Sequence, residues 1–253
     1  MGGRRQKRIS RSTALYIPVC VLVIISLVVF GISVFTKVLE INVVGALLYT
    51  DEDIIGASGI ASGDNMLFIN MEAATKKVHT EMPFIRDVTI TRLPPSAILI
   101  EVTETKEIAA ITHQSSVLII DSDCKILKTT DNDNHGLIEI RGLSIEDPAE
   151  GSPLKAVLGS EKNLQYLKDV LAAIEKENIE KDVSYIDVTN TSKINFGYLG
   201  RFRLILGTPI DIRTKLTRLP SIVAEIKTLS SDDAKGEIDM SDPAYEWRFN
   251  PIN

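Results

Sequence analysis

Two cysteines, three histidines and one tryptophan among 253 residues leave little material for redox, metal or nucleophilic chemistry. Cys20 lies in an apolar run and Cys124 far along the chain, so they form no disulfide framework and packing alone must hold the fold. His79, His113 and His135 stand in three different contexts. None is paired at the four-residue spacing that puts two imidazoles on one helix face, and no HExxH, Gly-rich phosphate loop, GxSxG or CxxC occurs. Acids are missing from residues 1–35, and charge of either sign is missing from 14–35. All 34 acidic residues follow Phe35, whereas five of the 28 basic ones precede it, which leaves the C-terminal part at a net charge of -11. An acidic surface repels a phosphate backbone, so nucleic-acid binding by that part is a poor fit, and so is a soluble cytosolic enzyme.

What is present is strongly partitioned. Residues 1–14 carry Arg4, Arg5, Lys7, Arg8 and Arg11. Leu15–Phe35 follows with 21 uncharged residues, roughly 30 Å as a helix and so about one bilayer core. Pro18 sits near its start, where a missing N–H is tolerated. A cleaved signal would need a shorter core and a small-x-small site, and this run continues through Val34-Phe35 into Lys37 without one. The expectation is an uncleaved, single-pass type II anchor, with the basic arm in the cytoplasm and residues from 36 onward outside.

Past the anchor, Val38–Gly45 reads as a strand. Thr50 followed by Asp51, Glu52 and Asp53 starts a helix that Gly56, Gly59 and Gly63 break up. Asn70 caps a second helix, with Met71, Ala74, Val78 and Met82 at helical spacing and Pro83 stopping it. Ile85–Leu93 and Ala97–Thr105 alternate as a hairpin joined at Pro94-Pro95. The order is β-α-α-β-β. Short strands then follow at Val117–Asp121, Ile126–Thr129 and Leu137–Ile140, with residues 146–160 as a loop. A helix carries Leu164, Leu167, Leu171 and Ile174, and strands follow at Val183–Val188, Lys193–Phe196 and Arg201–Leu206. A second amphipathic helix carries Ile212, Leu216, Leu219, Val223 and Ile226 and is interrupted by Pro220. Glu237–Met240 reads as the last strand, before a tail with Tyr245, Trp247 and Phe249.

Two near-matches to catalytic or metal motifs fail on their missing parts. Asp131-Asn132-Asp133-Asn134-His135-Gly136 opens like a calcium loop, but the twelfth position, where a bidentate glutamate belongs, is Gly142. Ser122-Asp123-Cys124-Lys125 fits S-x-x-K, yet it sits between strands and no K-T-G follows. What remains is surface. Glu237–Met240 is either a sheet edge that invites another chain or an internally paired strand. Tyr245, Trp247 and Phe249 either pack back on the domain or anchor a partner.

Taken together the chain resembles the FtsQ/DivIB family of bacterial cell-division proteins. The resemblance rests on Ile41–Gly45 with Thr50–Ile54, Asn65–Phe68, Pro83–Val88, Thr91–Pro94 and Ile100–Glu104. In the second half it rests on Leu118–Asp121, Arg201–Gly207, Lys215-Leu216 and Gly236–Ser241, in family order, with Cys124 where a turn glycine is expected. It implies an α+β fold: a transmembrane helix at 15–35, a POTRA domain at 36–107, a mixed β-sheet domain with two amphipathic helices at 108–241, and a tail at 242–253. It also implies a non-enzymatic scaffold at the division septum, with no catalytic residue, cofactor, metal, nucleic acid or small-molecule substrate. The expected partners are FtsL and an FtsB/DivIC-like protein, and septal peptidoglycan synthesis is what they would help control. The expected contact is strand addition at Gly236, Glu237, Ile238, Asp239, Met240 and Ser241, with Tyr245, Trp247 and Phe249 beside it. A membrane-anchored serine hydrolase or transpeptidase at Ser122 is the alternative, and a POTRA protein of outer-membrane assembly a third reading that lacks its tandem repeats or barrel.

Overall fold

The computed structural model describes residues 11–131, 136–208, 210–230, 233–242 and 247–252, leaving out the side chains of 11–15, 17, 29 and 32–35. Helix α1 (Arg11–Phe35) is 25 residues long and runs through the whole uncharged stretch, Pro18 included. Its described side chains Leu22, Ile24, Leu27 and Phe30 are exposed. Among the described residues, no helix is long and apolar enough to cross a membrane. From Thr36 onward the chain forms an α+β fold in two compact units, one holding residues up to Val78 with Asp87–Thr103, the other His79–Arg86 with Glu104–Asn253.

The first unit is built on a three-stranded sheet of order β1-β3-β2, with β1 (Glu40–Val44) parallel to β3 (Ala97–Glu104) and β2 (Ile85–Leu93) on its other side. Local chemistry starts each helix. Thr50 Oγ1 accepts from the Asp53 N–H at 3.2 Å while the Asp53 carboxylate accepts from the Thr50 N–H, a reciprocal cap on α2 (Asp51–Ser58). Gly56 does not break this helix, which ends at Gly59 in the left-handed region. Asn70 Oδ1 accepts from Ala73 N–H at 3.0 Å and starts α3 (Met71–Glu81). Ile54, Ala74, Val78, Ile98 and Ile100 are buried together as the apolar side of this layer. Gly45 is required by close approach, because a Cβ there would lie 2.1 Å from the Val102 carbonyl oxygen.

The second unit is a nine-stranded mixed sheet of order β12-β11-β10-β9-β8-β7-β4-β5-β6. Its strands are β4 (Ala109–His113), β5 (Ser116–Ile120), β6 (Ile126–Thr130), β7 (Ile138–Arg141), β8 (Val183–Asp187), β9 (Ile194–Tyr198), β10 (Phe202–Gly207), β11 (Gly236–Asp239) and β12 (Arg248–Pro251). Helices α4 (Glu161–Glu177) and α5 (Ile212–Leu229) pack on one face, burying Leu167, Leu171 and Ile174 with Leu216, Leu219 and Ile226 against Phe196, Leu204 and Ile238. Helix α5 is not interrupted at Pro220. The proline is exposed, and buried Leu216, Leu219, Ile222 and Val223 hold the helix to the sheet on both sides of it. Cys124 adopts φ 58, so the turn does take the left-handed conformation of the glycine expected there, while its thiol fills the core.

Candidate functional site

The sheet does not end where the sequence places its last strand. Strand β11 lies parallel to β10 on one side, and on the other it is paired antiparallel with β12, Glu237 opposite Asn250 and Ile238 opposite Phe249. Gly236–Asp239 is therefore internally paired, and β12 is the edge. Ile238 and Met240 are buried in the sheet's own core, so neither fills a partner's pocket in this arrangement. Trp247 and Phe249 are half-buried and pack on that same core, whereas Tyr245 lies outside the described residues.

Gly236 explains how β12 seats. A Cβ there would lie 2.4 Å from the Asn250 carbonyl oxygen and 2.7 Å from the Phe249 ring, so the ring occupies the space that a side chain would take. Phe249 also meets Phe202 edge-on, with centroids 6.2 Å apart. The Ile252 N–H donates to Lys235 O at 3.0 Å. Alternation in an antiparallel pair then turns the peptide groups of Asn250 and Arg248 inward and those of Phe249 and Pro251 outward. Pro251 has no N–H to offer, so β12's outer side is a poor template for another strand.

Charge at this end is ordered along the strands. Glu237 pairs with Arg203 at 3.7 Å, and Arg203 Nε donates to Asn195 Oδ1 at 3.2 Å. Ser241 closes β11 by donating its N–H to Asp239 Oδ1 at 2.9 Å. Burial pushes the Asp239 carboxyl up, but the Ser241 hydroxyl and N–H, with Lys193 and Arg248, outweigh it and hold the group below the usual carboxylate range. Gly207 lets Ser241 pass close to the end of β10, since a Cβ there would lie 2.8 Å from that of Ser241.

Residues 36–105 match the family described as POTRA domain, FtsQ-type. The cell division protein DivIB of Clostridium acetobutylicum is 24% identical over 213 residues, 84% of this chain and 80% of that protein. Over most of its length the chain is thus similar to the FtsQ/DivIB cell-division proteins. FtsQ of Corynebacterium glutamicum is 33% identical and DivIB of Brevibacillus brevis 32% identical, each over 42% of this chain. The matched segments span 48% and 40% of those two proteins, less than half their length. Among solved structures, the major extracytoplasmic domain of DivIB from Geobacillus stearothermophilus matches with a TM-score of 0.33 at 13% identity, over 50% of this chain and 97% of that one.

The serine singled out by S-x-x-K has a different setting in this chain. Ser122 is buried, donates to Glu175 Oε2 at 2.5 Å and accepts from Arg86 Nη2 at 2.7 Å. Arg86 also pairs with Glu175 at 3.1 Å and Asp123 at 3.2 Å. Lys125 Nζ instead donates to Ile85 O at 2.7 Å. The hydroxyl is held between a guanidinium and a carboxylate that the same guanidinium already pairs, a part-buried polar node within the second unit. Burial pushes the Cys124 thiol up to about 12, which leaves it protonated and inert at neutral pH. Burial likewise raises the Asp121 carboxyl, against the pull of the Lys125 N–H. Among the described residues, no group of three or more His, Cys, Asp or Glu side chains is placed to hold a metal. The calcium-like stretch has Asn132–His135 outside the described residues. Sequence reasoning missed β4 and β12; the signal for β12 was Gly236 facing an aromatic tail.

Proposed function

We propose that this chain is a non-enzymatic, single-pass membrane scaffold of the bacterial divisome, acting at the septum with its N-terminus in the cytoplasm and residues from 36 outward outside. The basic arm and the uncharged run Leu15–Phe35 within α1, with Leu22, Ile24, Leu27 and Phe30 exposed, support the topology. The names of the relatives support the role in cell division. Its partners are FtsL and an FtsB/DivIC-like protein, and through them it helps control septal peptidoglycan synthesis.

The observation that carries the contact surface is the pairing at the sheet's end: β12 is a four-residue strand lying over the edge of β11. Removing it would bare the N–H and C=O groups of Glu237 and Asp239, a more complete template than the outer side of β12. The partner segment therefore takes the place that β12 holds, pairing along Gly236–Ser241, with the seats vacated by Phe249 and Trp247 open to its apolar side chains. Cysteines at Glu237 and Asn250, register partners with Cα atoms about 5.5 Å apart if hydrogen-bonded, are within disulfide reach. The oxidised E237C/N250C chain should lose capture of the FtsB/DivIC-like partner and the reduced chain should keep it. Equal capture in both states would refute strand replacement. A fluorescent fusion spread evenly over the membrane, without a midcell band, would refute the divisome role itself.

A further inference from the structure

We propose that the turn Asn65–Ile69 is a membrane-interface contact, an apolar tip that rests among the phospholipid headgroups beside the point where α1 leaves the bilayer. The inference rests on reading α1 as the anchor. Leu67 is 54% and Phe68 84% exposed, two adjacent large apolar side chains turned to solvent. The backbone that carries them is braced. Leu67 N–H donates to Asn65 Oδ1 and Phe68 N–H to Asn65 O, both at 3.0 Å. Arg92 clamps the turn from both sides, Nε donating to Met66 O and Nη2 to Ile69 O, each at 2.8 Å. Met66 is buried as the root of the turn. A rigid turn that holds a leucine and a phenylalanine outward keeps an apolar surface in water unless something covers it.

The covering surface is identified by what the turn is tied to. Met66 N–H donates to Thr36 O at 2.8 Å, Thr36 Oγ1 donates to Asn65 Oδ1 at 3.1 Å, and Lys37 forms an antiparallel bridge with Asn65. Thr36 directly follows Phe35, the last residue of α1. The start of the turn, Asn65-Met66, thus lies about one strand spacing, roughly 5 Å, from the chain where it emerges from the helix, and the tip follows it directly. Lys37 and Arg92, both exposed, flank it with positive charge suited to lipid phosphates. Aromatic rings beside such cations favour the headgroup level. With α1 as a first attachment, the tip is a second, and two attachments fix the tilt of the first unit against the membrane.

The test uses the full chain in lipid nanodiscs, with Trp247→Phe so that one introduced tryptophan reports. Phe68→Trp should lose emission roughly twofold when the lipids carry brominated acyl chains, as an interfacial ring does. Leu47→Trp, in the loop that follows the far end of β1 and 92% exposed, should keep its emission, since β1 carries the chain roughly 20 Å from Lys37 before that loop begins. Equal emission from Phe68→Trp in brominated and plain lipid overturns the inference, as does equal quenching at both sites. A chain that fails to enter the nanodiscs at all marks a different failure, that of the anchor, and the tip falls with it.

Discussion

The two ends of the nine-stranded sheet solve the same problem in different ways. At the β6 end, residues 150–154 run along the outside of the strand: Ile126 donates to Ser152 O at 3.0 Å, Gly151 donates to Ile126 O at 2.8 Å, and Thr129 donates to Glu150 Oε1 at 2.6 Å. That covering is continuous with the core, since Leu154 is buried and its N–H donates to Cys124 O at 2.8 Å. At the β12 end the covering is a four-residue strand, exposed at Arg248, Asn250 and Pro251, and seated mainly through Phe249 and Trp247. An edge closed by a loop rooted in the core stays closed. One closed by a four-residue strand has fewer contacts to break on opening, which is what the proposed exchange requires.

Gly236→Val breaks this contrast most severely. A side chain there meets the Asn250 carbonyl oxygen and the Phe249 ring, so overpacking should cost about 2 kcal/mol and expel β12. Hydrogen exchange should show lost protection at Glu237 and Asp239, with the β6 end unchanged. Phe249→Ala is milder, roughly 1 kcal/mol for a half-buried ring and its edge contact with Phe202. It should tighten partner capture by lowering the cost of releasing β12, and unchanged or weaker capture would remove β12 as a competitor. Glu150→Ala, which deletes one exposed acceptor over Thr129, should change stability by about 0.5 kcal/mol and leave capture untouched.

Acid separates the ends by sign. Asp121, in the β5–β6 turn, has its carboxyl raised by burial, so its contribution is full below the ordinary value of 3.8 and declines as pH rises through the native value. Asp239 is lowered, so its contribution is present above 3.8 and is lost as pH falls through the native value. On acidification toward pH 4 and below, the turn behind β6 should gain and the closure of β11 should weaken. Thermal unfolding against pH for Asp121→Asn and Asp239→Asn checks this, each variant flattening the profile in its own direction. Parallel profiles would remove the distinction.

How much of this was legible depends on whether the signal was local. The Thr50 and Asn70 caps, the stop at Pro83 and the alternation of Ile98, Ile100 and Val102 all read correctly, because each acts within a few residues. Strand β4 was missed because Ala109-Ala110-Ile111 is buried on both faces and shows no alternation. Pro220 looked like a break because only tertiary packing holds α5 together across it. Strand β12 was missed for a similar reason: Asn250 and Pro251 disfavour strands, and only the fit of Phe249 over Gly236, fixed by folding, makes one. The edge expected at Gly236–Ser241 therefore exists only when β12 is away.

Cys124 makes the second unit its own stopwatch. Its sulfur lies fully buried at the root of the β5–β6 turn, and its thiol, pushed up to about 12, does not ionise at neutral pH. An alkylating reagent reaches it only in molecules whose core has parted, so the rate of label appearing on the Cys124 peptide counts those openings directly. Binding a partner at the far end of the same sheet should slow that clock if the nine strands open together, and leave it running if the two ends open on their own.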